Sequence, residues 1–377
     1  MSRRFDLAVV GAGIVGLAHA LAAARRGLRV VVFDRECQAI GASVRNFGFI
    51  TVTGQQRGEC WRRALRSRDV WLEVASRAGI AIEHEGLVVV ARRPEAMAVL
   101  EAFAATEMGA ACELLDGRAA RTRYPMLGEG SIEGALWSPH ERRVESRCAL
   151  PKLADWLERA HGVAFVRETL VKDIAPPHIT TSAGTFEAER VAVCPGDDLL
   201  TLYPDRIRAL GIGRCRLHML KVAPADRDFR LPAAVMSDLS LVRYLGYAEL
   251  PEAAALMARL KVEQPHMLAQ GIHLIAVQGR DGDLIVGDSH HYERSPSPFA
   301  RADVDELILT ELATVLRLPD ARVRERWTGT YAHLPDRLAV IDAPEPEVRL
   351  VMVTSGTGAS TAFAIGEEVI ADLFGEG

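Results

Sequence analysis

Lysine is scarce in this chain of 377 residues, because four of its 45 basic residues are lysine and the other 41 are arginine. The arginines are spread along the whole chain, which points to codon bias rather than to a binding patch. The net charge is −5, so the basic excess that is typical of nucleic-acid-binding proteins is missing. We therefore expect no nucleic-acid partner.

Cysteine is also rare. The number and spacing of the cysteines argue against a small fold stabilised by disulfide bonds and against one stabilised by zinc. No CxxC pair occurs, and no cysteine stands at a zinc-like distance from a histidine. We expect no metal site, and we expect reduced thiols in a cytoplasmic protein at Cys37, Cys60, Cys112, Cys148, Cys194 and Cys215.

The chain also lacks low-complexity segments, internal repeats and a convincing membrane span. Leu7 to Ala24 is apolar and about as long as a membrane span, and Arg3 and Arg4 precede it as in a signal peptide. Asp6 and three glycines oppose that interpretation, so no membrane association is expected. With 49% hydrophobic and 25% charged residues, the composition indicates a folded protein of two or three domains, or one domain with a second woven through it.

A glycine motif lies between two predicted strands near the N-terminus. Phe5 to Val10 is an apolar run of strand length, Gly11-Ala12-Gly13-Ile14-Val15-Gly16 follows directly, and Leu17 to Arg26 is rich in helix formers. A second strand, Arg29 to Phe33, ends at Asp34, 18 residues after the motif. This order is typical of dinucleotide-binding folds. The motif predicts a bound dinucleotide and leaves NAD and FAD both open.

Each glycine of such a motif has a physical role that these residues can fill. Gly11 allows the tight turn, Gly13 lets the backbone approach a pyrophosphate, and Gly16 lets helix and strand pack closely. The helix N-terminus supplies N–H groups to the phosphates. Asp34 would accept hydrogen bonds from a ribose diol.

The segment after Asp34 favours FAD. Gly41-Ala42-Ser43-Val44-Arg45-Asn46-Phe47-Gly48 resembles the segment with which flavin amine oxidases of the D-amino-acid oxidase, glycine oxidase and sarcosine oxidase superfamily wrap their cofactor. The chain is similar to that family again near its end, where a strand from Arg349 to Thr354 precedes the glycine-rich segment from Ser355 to Glu367. A helix that begins there would aim its N-terminus at the flavin O2/N1 edge.

The resemblance extends, more loosely, to the middle of the chain. In the family a valine such as Val171 presents its backbone to the adenine, and Glu189 to Gly196 resembles the second strand that faces the dinucleotide. The cysteine that carries covalent flavin in sarcosine oxidases is missing, so the resemblance implies non-covalent FAD. The residues that it assigns to the cofactor are Gly11, Gly13, Ile14, Val15, Gly16, Asp34, Arg35, Ala42, Ser43, Arg45, Asn46, Phe47, Gly48, Val171, Cys194, Gly196, Gly356, Thr357, Gly358, Ala359, Ser360 and Thr361.

The fold implied is of the α/β class: a Rossmann-like FAD-binding domain interleaved with a substrate domain built on a mostly antiparallel β-sheet, an α+β unit. Short strands in the second unit include one predicted at Leu241 to Tyr247. The predicted boundaries are 1–81, 146–212 and 326–377 for the FAD-binding domain, and 82–145 and 213–325 for the substrate domain.

Enzymes of this kind oxidise an amine by passing a hydride from the carbon beside nitrogen to the flavin. They need no acid–base dyad if the amine arrives neutral, and none is visible in the sequence. The partners implied are a small-molecule amine and oxygen or another electron acceptor. The oligomeric state is left open.

Two positions depart from the family pattern, and both concern the substrate carboxylate. In Trp327-Thr328-Gly329-Thr330-Tyr331, Tyr331 stands where glycine oxidases have an arginine, and Ser360 stands where sarcosine oxidases have a lysine. An unpaired buried carboxylate would cost several kcal/mol. A simple α-amino acid is therefore a poorer candidate substrate than the family suggests.

Other donors could hold an anion: Arg45, Arg243 with Tyr244, and the pair His290 and His291. Around the two histidines, Gly287 to Tyr292 resembles a subgroup found with bacterial phosphonate-degradation genes, in which 2-aminoethylphosphonates and their N-methyl derivatives are the expected substrates. A phosphonate dianion suits several donors rather than one planar fork. The alternative is structural, because the histidines could be polar residues at a strand end and Arg243 a solvated strand residue.

The sequence thus predicts FAD-dependent oxidation of a 2-aminoethylphosphonate or its N-methyl derivative to an aldehyde of the phosphonoacetaldehyde type plus amine. A first alternative is oxidation of glycine, sarcosine or a D-amino acid. A second, of another class, is a flavin-binding subunit without turnover. An NAD-dependent dehydrogenase would explain neither glycine-rich flavin segment.

Overall fold

The computed structural model describes residues 4–375, and their strands form two sheets. Elements are numbered in chain order. Eight strands of the described chain make the first sheet: β1 (Arg4–Val10), β2 (Val30–Phe33), β7 (Ala164–Val166), β8 (Val171–Ala175), β9 (His178–Thr181), β10 (Gly184–Val193), β17 (Ala339–Glu345) and β18 (Val348–Val353).

The central part of this sheet is parallel. Its strand order is β17-β18-β10-β1-β2-β7, and β1 pairs in parallel with both β10 and β2. Leu7, Ala8 and Val9 of β1 are fully buried, as expected when helices or strands cover both faces of a parallel sheet. The apolar runs on either side of the glycine motif therefore form strands because both of their faces are removed from water.

The helices of residues 4–375 pack against one another and against the two sheets. They are α1 (Ile14–Arg25), α2 (Glu59–Ala78), α3 (Pro94–Ala104), α4 (Gly117–Arg123), α5 (Ser146–His161), α6 (Pro204–Ala209), α7 (Leu245–Ala248), α8 (Ala253–Glu263), α9 (Pro265–Ala269), α10 (Ala302–Val315) and α11 (Gly358–Phe374), with 3₁₀ turns at Glu107–Gly109 and Asp238–Val242.

Helices α1 and α11 lie side by side on the first sheet. Gly366 of α11 allows this close approach, because a Cβ there would lie 2.8 Å from the backbone carbon of Ala18. Trp71 of α2 packs edge-on against Phe363 of α11, with ring centroids 5.1 Å apart. The contacts hold α11, whose first residues border the cavity described below, against α1 and α2.

The second sheet is mostly antiparallel. Its ten strands within residues 4–375 are β3 (Phe49–Ile50), β4 (Ile82–Ala91), β5 (Glu113–Asp116), β6 (Gly134–Val144), β11 (Gly213–Ala223), β12 (Ala234–Met236), β13 (Ile275–Gln278), β14 (Leu284–Gly287), β15 (His291–Glu293) and β16 (Arg322–His333). The strand order is β15-β11-β14-β13-β12-β4-β6-β3, with β16 on β11 and β5 on β6. A large apolar core, separate from that of the first sheet, includes residues of this sheet.

The predicted fold class is confirmed, with two corrections to its details. The pairing of Phe49–Ile50 with β6, and of Arg322–His333 with β11, places both strands in the second sheet, although the predicted boundaries put Phe49–Ile50 and most of the other strand in the FAD-binding part. Leu241 to Tyr247 is not a strand. It forms helical turns, in which the N–H groups of Arg243 and Tyr244 donate to the Ser240 carbonyl.

Tertiary contacts explain why Leu241 to Tyr247 does not form a strand. Just before the predicted strand, the Asp238 carboxylate pairs with Arg93, Nη1 to Oδ2 2.8 Å, and accepts from the N–H of Arg92. Farther along, the Gly246 N–H donates to the Gly54 carbonyl at 2.9 Å. These contacts fix both ends of the segment in turn geometry, and they override the β preference of its apolar residues.

Two further expectations concern cysteine and membranes. All six cysteines lie within residues 4–375, and all are unpaired thiols, as expected. The apolar stretch from Leu7 to Ala24 divides into β1, the glycine turn and α1. Within the described chain, no helix combines the length and apolar character needed to cross a bilayer.

Candidate functional site

A cavity of about 410 Å³ lies where the two sheets meet. One part of its wall consists of segments that directly follow β1, β10 and β18. The other part comes from β13, β16 and the turns around Arg243 and His290. Ligands of α/β sheets bind beyond the carboxyl ends of the strands, so this is the expected place for a functional site.

The turn before α1 has the geometry that its glycines predict. Gly11 has a φ of +102°, and a Cβ on it would lie 2.4 Å from the Cys194 carbonyl oxygen. A Cβ on Gly16 would lie 1.8 Å from the Gly11 carbonyl oxygen. Only glycine fits at these two positions, and the turn therefore brings the first N–H groups of α1 to the cavity.

The turn before α11 approaches the same place from the other end of the chain. Gly356 has a φ of +76°, and a Cβ on Gly358 would lie 3.7 Å from Ile14 Cγ2. The N-termini of α1 and α11 are therefore in contact. The first N–H groups of a helix lack partners within the helix, and they carry a partial positive charge. Two such ends at one cavity wall favour a ligand with negative groups.

The side chains of Asp34 and Ser43 hold the loops around the α1 turn. Asp34 Oδ2 accepts from the Ala12 N–H at 2.6 Å, and its Oδ1 accepts from the Glu36 N–H at 2.9 Å. Ser43 Oγ accepts from the Ile14 N–H at 3.0 Å. Asp34 thus directly follows β2 and lies beside the glycine turn, which is where the ribose of a dinucleotide would bind.

Asn46 and Gly48 shape the segment after Ser43. The Asn46 side chain donates to the Ala42 carbonyl at 2.7 Å and accepts from the Gly48 N–H at 2.6 Å. Gly48 has no room for a side chain, because a Cβ there would lie 1.8 Å from the Val144 carbonyl oxygen. Asn46 therefore braces the loop that the cavity borders.

Most of the residues predicted to bind FAD line this cavity. Six do not: Gly11 and Gly48 shape turns, Asp34 binds the loop, Val171 is buried, Thr361 Oγ1 donates to the Thr357 carbonyl, and Arg35 pairs with Asp198 at 2.8 Å. The lining members are Gly13, Ile14, Val15, Gly16, Ala42, Ser43, Arg45, Asn46, Phe47, Cys194, Gly196, Gly356, Thr357, Gly358, Ala359 and Ser360.

Arg243 is the central charged group of the other wall. Its Nη2 donates to the Tyr292 hydroxyl at 2.8 Å. Burial lowers the pKa of Arg243, but the nearby Tyr331 and Tyr292 phenols and the Asp288 carboxylate raise it by more, so the pKa lies above its ordinary value. Arg243 therefore remains a fixed cation that faces the cavity.

Tyr331 and Tyr244 present neutral phenols. Burial raises the pKa of Tyr331 well above its usual value, and burial likewise raises that of Tyr244. Tyr331 packs against Gly356, where a Cβ would lie 3.1 Å from the ring carbon Cζ. Tyr331 thus stands at the boundary between the α11 turn and the wall that contains Arg243.

The other predicted side chains differ in position. Arg45 lines the cavity and has no ion-pair partner within residues 4–375. His290 also lines the cavity, whereas its neighbour His291 lies outside the lining and faces His218, with ring centroids 5.7 Å apart. Adjacent residues on an extended segment point to opposite faces, so only one member of the predicted histidine pair reaches the site.

Ser360 takes part in a neutral hydrogen-bond network. Its Oγ accepts from the Thr51 N–H and lies 2.9 Å from Thr51 Oγ1, which in turn accepts from Gln55 Nε2 at 2.6 Å. No charged side chain takes part in these bonds. Position 360, where sarcosine oxidases have a lysine, thus belongs here to a network of neutral groups. This network is complete without a bound anion.

The wall contains one of the alternative anion donors that the sequence suggests. Arg243 comes from a different element and enters the wall beside Tyr331, the position at which the arginine of the family pattern is absent. The sequence suggested both residues but could not place them side by side, because they are 88 positions apart.

Sequence reasoning also missed three residues of this wall: His273, Asp288 and Tyr292. His273 Nε2 lies 3.0 Å from Asp288 Oδ1, and His290 Nε2 lies 3.8 Å from Asp288 Oδ2. Asp288 stands two residues before His290, so an Asp-x-His pattern was the available signal. For His273, which joins the site through the pairing of β13 with β14, the sequence holds no such signal.

Comparisons with known proteins agree with this geometry. The family described as DAO, FAD dependent oxidoreductase, matches residues 6–373. Digeranylgeranylglycerophospholipid reductase 1 of Methanopyrus kandleri is 31% identical over 210 residues, which cover 54% of this chain and 52% of that protein. Monomeric sarcosine oxidase of a Bacillus species is 26% identical over 204 residues, 52% of each. This chain thus spans about half the length of the curated relatives that it matches.

A solved structure is similar over nearly the whole chain. The crystal structure of glycine oxidase from Bacillus cereus ATCC 14579 aligns with a TM-score of 0.78 and 17% identity, over 98% of this chain and 94% of that one. This likeness establishes the fold. It does not identify a substrate, since a reductase and an oxidase are about equally similar to this chain in sequence.

Proposed function

Since the chain belongs to the DAO family of FAD-dependent oxidoreductases, we propose that it oxidises a small amine that also carries an anionic group. The substrate proposed is 2-aminoethylphosphonate or its N-methyl derivative. The oxidised product, an imine, then takes up water and gives a phosphonoacetaldehyde-type aldehyde and the free amine or ammonia.

The glycine turns fit the cofactor of that family. Gly13 suits a close approach of the pyrophosphate to the backbone because it carries no side chain, and a Cβ there would lie 3.0 Å from Ser43 Oγ. The N–H groups at the start of α1 suit a pyrophosphate, Asp34 suits a ribose diol, and the start of α11 suits the electron-rich edge of a flavin. Bound FAD supplies the acceptance of a hydride.

The observation that carries the proposal is the state of Arg243. Its side-chain partner is the Tyr292 hydroxyl, and it forms no ion pair with a carboxylate within residues 4–375. A half-buried guanidinium that pairs with no carboxylate has lost part of its hydration without compensation. An anion from outside the chain would complete the site.

The donors around Arg243 favour a phosphonate over a carboxylate. A phosphonate dianion has three oxygens to satisfy. Arg45, Arg243, Tyr292 and Tyr331 all line the cavity, and the raised pKa values keep both phenols in the donor form. Several donors of this kind can surround a tetrahedral dianion.

A second candidate substrate is an amino acid such as glycine, sarcosine or a D-amino acid. Arg243 favours it, because one planar guanidinium can hold one planar carboxylate through two parallel hydrogen bonds. A flavin-binding protein without turnover is less well supported, since it would have no need for an unpaired cation at the cavity.

Reduction of the flavin without oxygen tests the proposal directly. Holoenzyme is titrated with N-methyl-2-aminoethylphosphonate, 2-aminoethylphosphonate, sarcosine, glycine and D-alanine, and the loss of flavin absorbance is followed. We expect the phosphonates to reduce the flavin fastest and at the lowest concentration.

Other outcomes assign the alternatives. Preference for sarcosine or glycine would reject the phosphonate and select the second candidate. Yellow protein that no amine bleaches would be a flavin protein without this activity. Colourless protein that fails to take up added FAD would contradict the cofactor assignment.

A further inference from the structure

Three side chains on the cavity wall form a compact group: His273, Asp288 and His290. All three are buried, with relative exposures of 3%, 4% and 8%, yet all three line the cavity. The group lies beside Arg243. Burial is the main cause that lowers the pKa of both histidines, and the charge of Arg243 lowers it further. The positions of the protons on this group decide what it can bind.

The proton on His273 follows from its two neighbours. An ionised carboxylate accepts hydrogen bonds and cannot donate them, so Nε2, which lies 3.0 Å from Asp288 Oδ1, carries the proton. In the neutral ring Nδ1 is then an acceptor, and the Ser240 hydroxyl stands 3.3 Å from it. Both ring nitrogens of His273 thus have a polar atom of the protein within 3.3 Å.

The proton on His290 is on the other nitrogen. Its Nδ1 lies 3.0 Å from the Gly271 carbonyl oxygen, which can only accept, so Nδ1 carries the proton. In the neutral ring Nε2 is a bare acceptor. The pKa of His290 lies well below its usual value, because burial, Arg243 and His273 all disfavour the charged ring.

Two acceptors therefore face each other at the cavity. His290 Nε2 and Asp288 Oδ2 are 3.8 Å apart, and within residues 4–375 neither atom receives a hydrogen bond from a donor group. Their mutual repulsion is relieved when a cation with two N–H groups lies between them. Arg243 faces the same cavity, so the wall has a cationic part and an electron-rich part.

We propose that Asp288 Oδ2 and His290 Nε2 bind the ammonium group of the substrate and that His290 removes its proton before oxidation. This inference rests on the proposed function. The N–H bond of the ammonium breaks, the proton goes to His290 Nε2, and the amine keeps the electron pair. A neutral amine can then lose a hydride from the adjacent carbon, which an ammonium cannot do. The phosphonate anion neutralises the charge of Arg243, which disfavours a protonated His290 in the free protein, and Asp288 lies 3.8 Å from the Nε2 that receives the proton.

A divalent metal is the other occupant that this set of ligand atoms could accept. The ligand atoms lie within 4.8 Å of one another. Arg243 disfavours a metal, because its charge repels a dication more strongly than a monocation. The proton on His273 Nε2 would also have to leave. We therefore assign the group to an ammonium.

The test compares pH profiles of flavin reduction in holoenzyme, with His290→Gln as the variant and His266→Gln, on the exposed surface of α9, as the control. We expect His290→Gln to slow reduction by N-methyl-2-aminoethylphosphonate about 100-fold at pH 7, the usual effect of a lost general base. The deficit should shrink as the pH approaches the pKa of the free amine, because substrate then arrives neutral. His266→Gln should follow the wild type.

A binding measurement separates the ammonium contact from catalysis. Asp288→Asn should weaken binding of 3-aminopropylphosphonate to holoenzyme about tenfold or more, and should leave binding of propylphosphonate, which has no amine, unchanged. The groups that face His290 in these measurements are Asp288, His273, Arg243, His291, Tyr292 and Tyr331. FAD content of each variant confirms that it folds.

The outcomes that overturn the inference differ from those that overturn the proposed function. If amines reduce the wild type and His290→Gln matches it at every pH, His290 is not the base. If Asp288→Asn weakens both phosphonates equally, Asp288 does not bind the ammonium. A stoichiometric divalent metal in purified protein that is lost in Asp288→Asn would replace the ammonium. If no amine reduces the wild type, the proposed function itself fails.

Discussion

At the scale of single residues, the role of a charged side chain depends more on its partners than on its residue type. Arg93 is enclosed and fully paired, with Asp238 Oδ2 2.8 Å from Nη1 and Glu263 Oε2 2.7 Å from Nε. Arg243 is held by one phenol. Arg93 therefore stabilises the fold, whereas Arg243 is available to a ligand.

This contrast predicts the effect of Arg243→Met. The variant should raise the substrate concentration needed for half-maximal flavin reduction about 30-fold or more, because removal of one member of an enclosed charge pair costs about 2–5 kcal/mol of binding. Flavin absorbance under anaerobic conditions measures it. Arg118→Met, at an exposed position of α4, is the control. An unchanged concentration would place the anion elsewhere.

At the scale of elements, two glycine turns bring the N-termini of two helices to one wall. The start of α1 depends on Gly16, whose missing side chain lets the helix pass the Gly11 carbonyl oxygen; a Cβ would stand 1.8 Å from that atom. No rotamer change can relieve this contact, because both partners are backbone. The start of α1 therefore cannot accept a side chain at position 16 without a shift of the backbone.

Gly16→Ala should lower the free energy of unfolding by about 2–4 kcal/mol through this overlap and should abolish or greatly weaken FAD binding. Thermal unfolding and retained flavin absorbance measure the two effects. Gly130→Ala is the matched control, since nothing lies within 4 Å of a Cβ there. Full FAD retention in Gly16→Ala would contradict the proposed cofactor position.

At the scale of the whole molecule, most of the histidines are held in their neutral form. Burial is the main cause, and it lowers the pKa of His19 to about 4 and that of His84 to about 3. The pKa is also lowered, chiefly by burial, in His140, His161, His218, His273, His290, His291 and His333.

These shifts predict lower stability in mild acid. Between pH 7 and pH 4 the unfolded chain binds more protons than the folded one, so the free energy of unfolding falls as the pH falls through 6.5. Fully buried His19 alone contributes up to about 3 kcal/mol over that range. Denaturant unfolding at several pH values, with FAD in excess, measures the slope. His19→Asn should reduce it, and an unchanged slope would contradict the buried neutral ring.

The sequence by itself determined the N-terminal cofactor turn and much of the C-terminal one. Strand, glycine motif, helix and Asp34 are consecutive, and their spacing is dictated by local backbone geometry, which a linear pattern records. The helix that begins after Gly356 is signalled in the same way. The family resemblance and the fold class followed from these local features, and both are confirmed.

Only the tertiary structure determines which residues form the cavity wall that contains Arg243. The sequence offered Arg243 and Tyr331 as candidates, but it could not place them beside His273 and Asp288, because these residues come from separate parts of the second unit and meet only through long-range packing. The same applies to the choice of His290 over His291, which depends on which face of one strand turns inward. Local backbone geometry thus determines the two glycine turns, and long-range packing determines which charged side chains line the cavity.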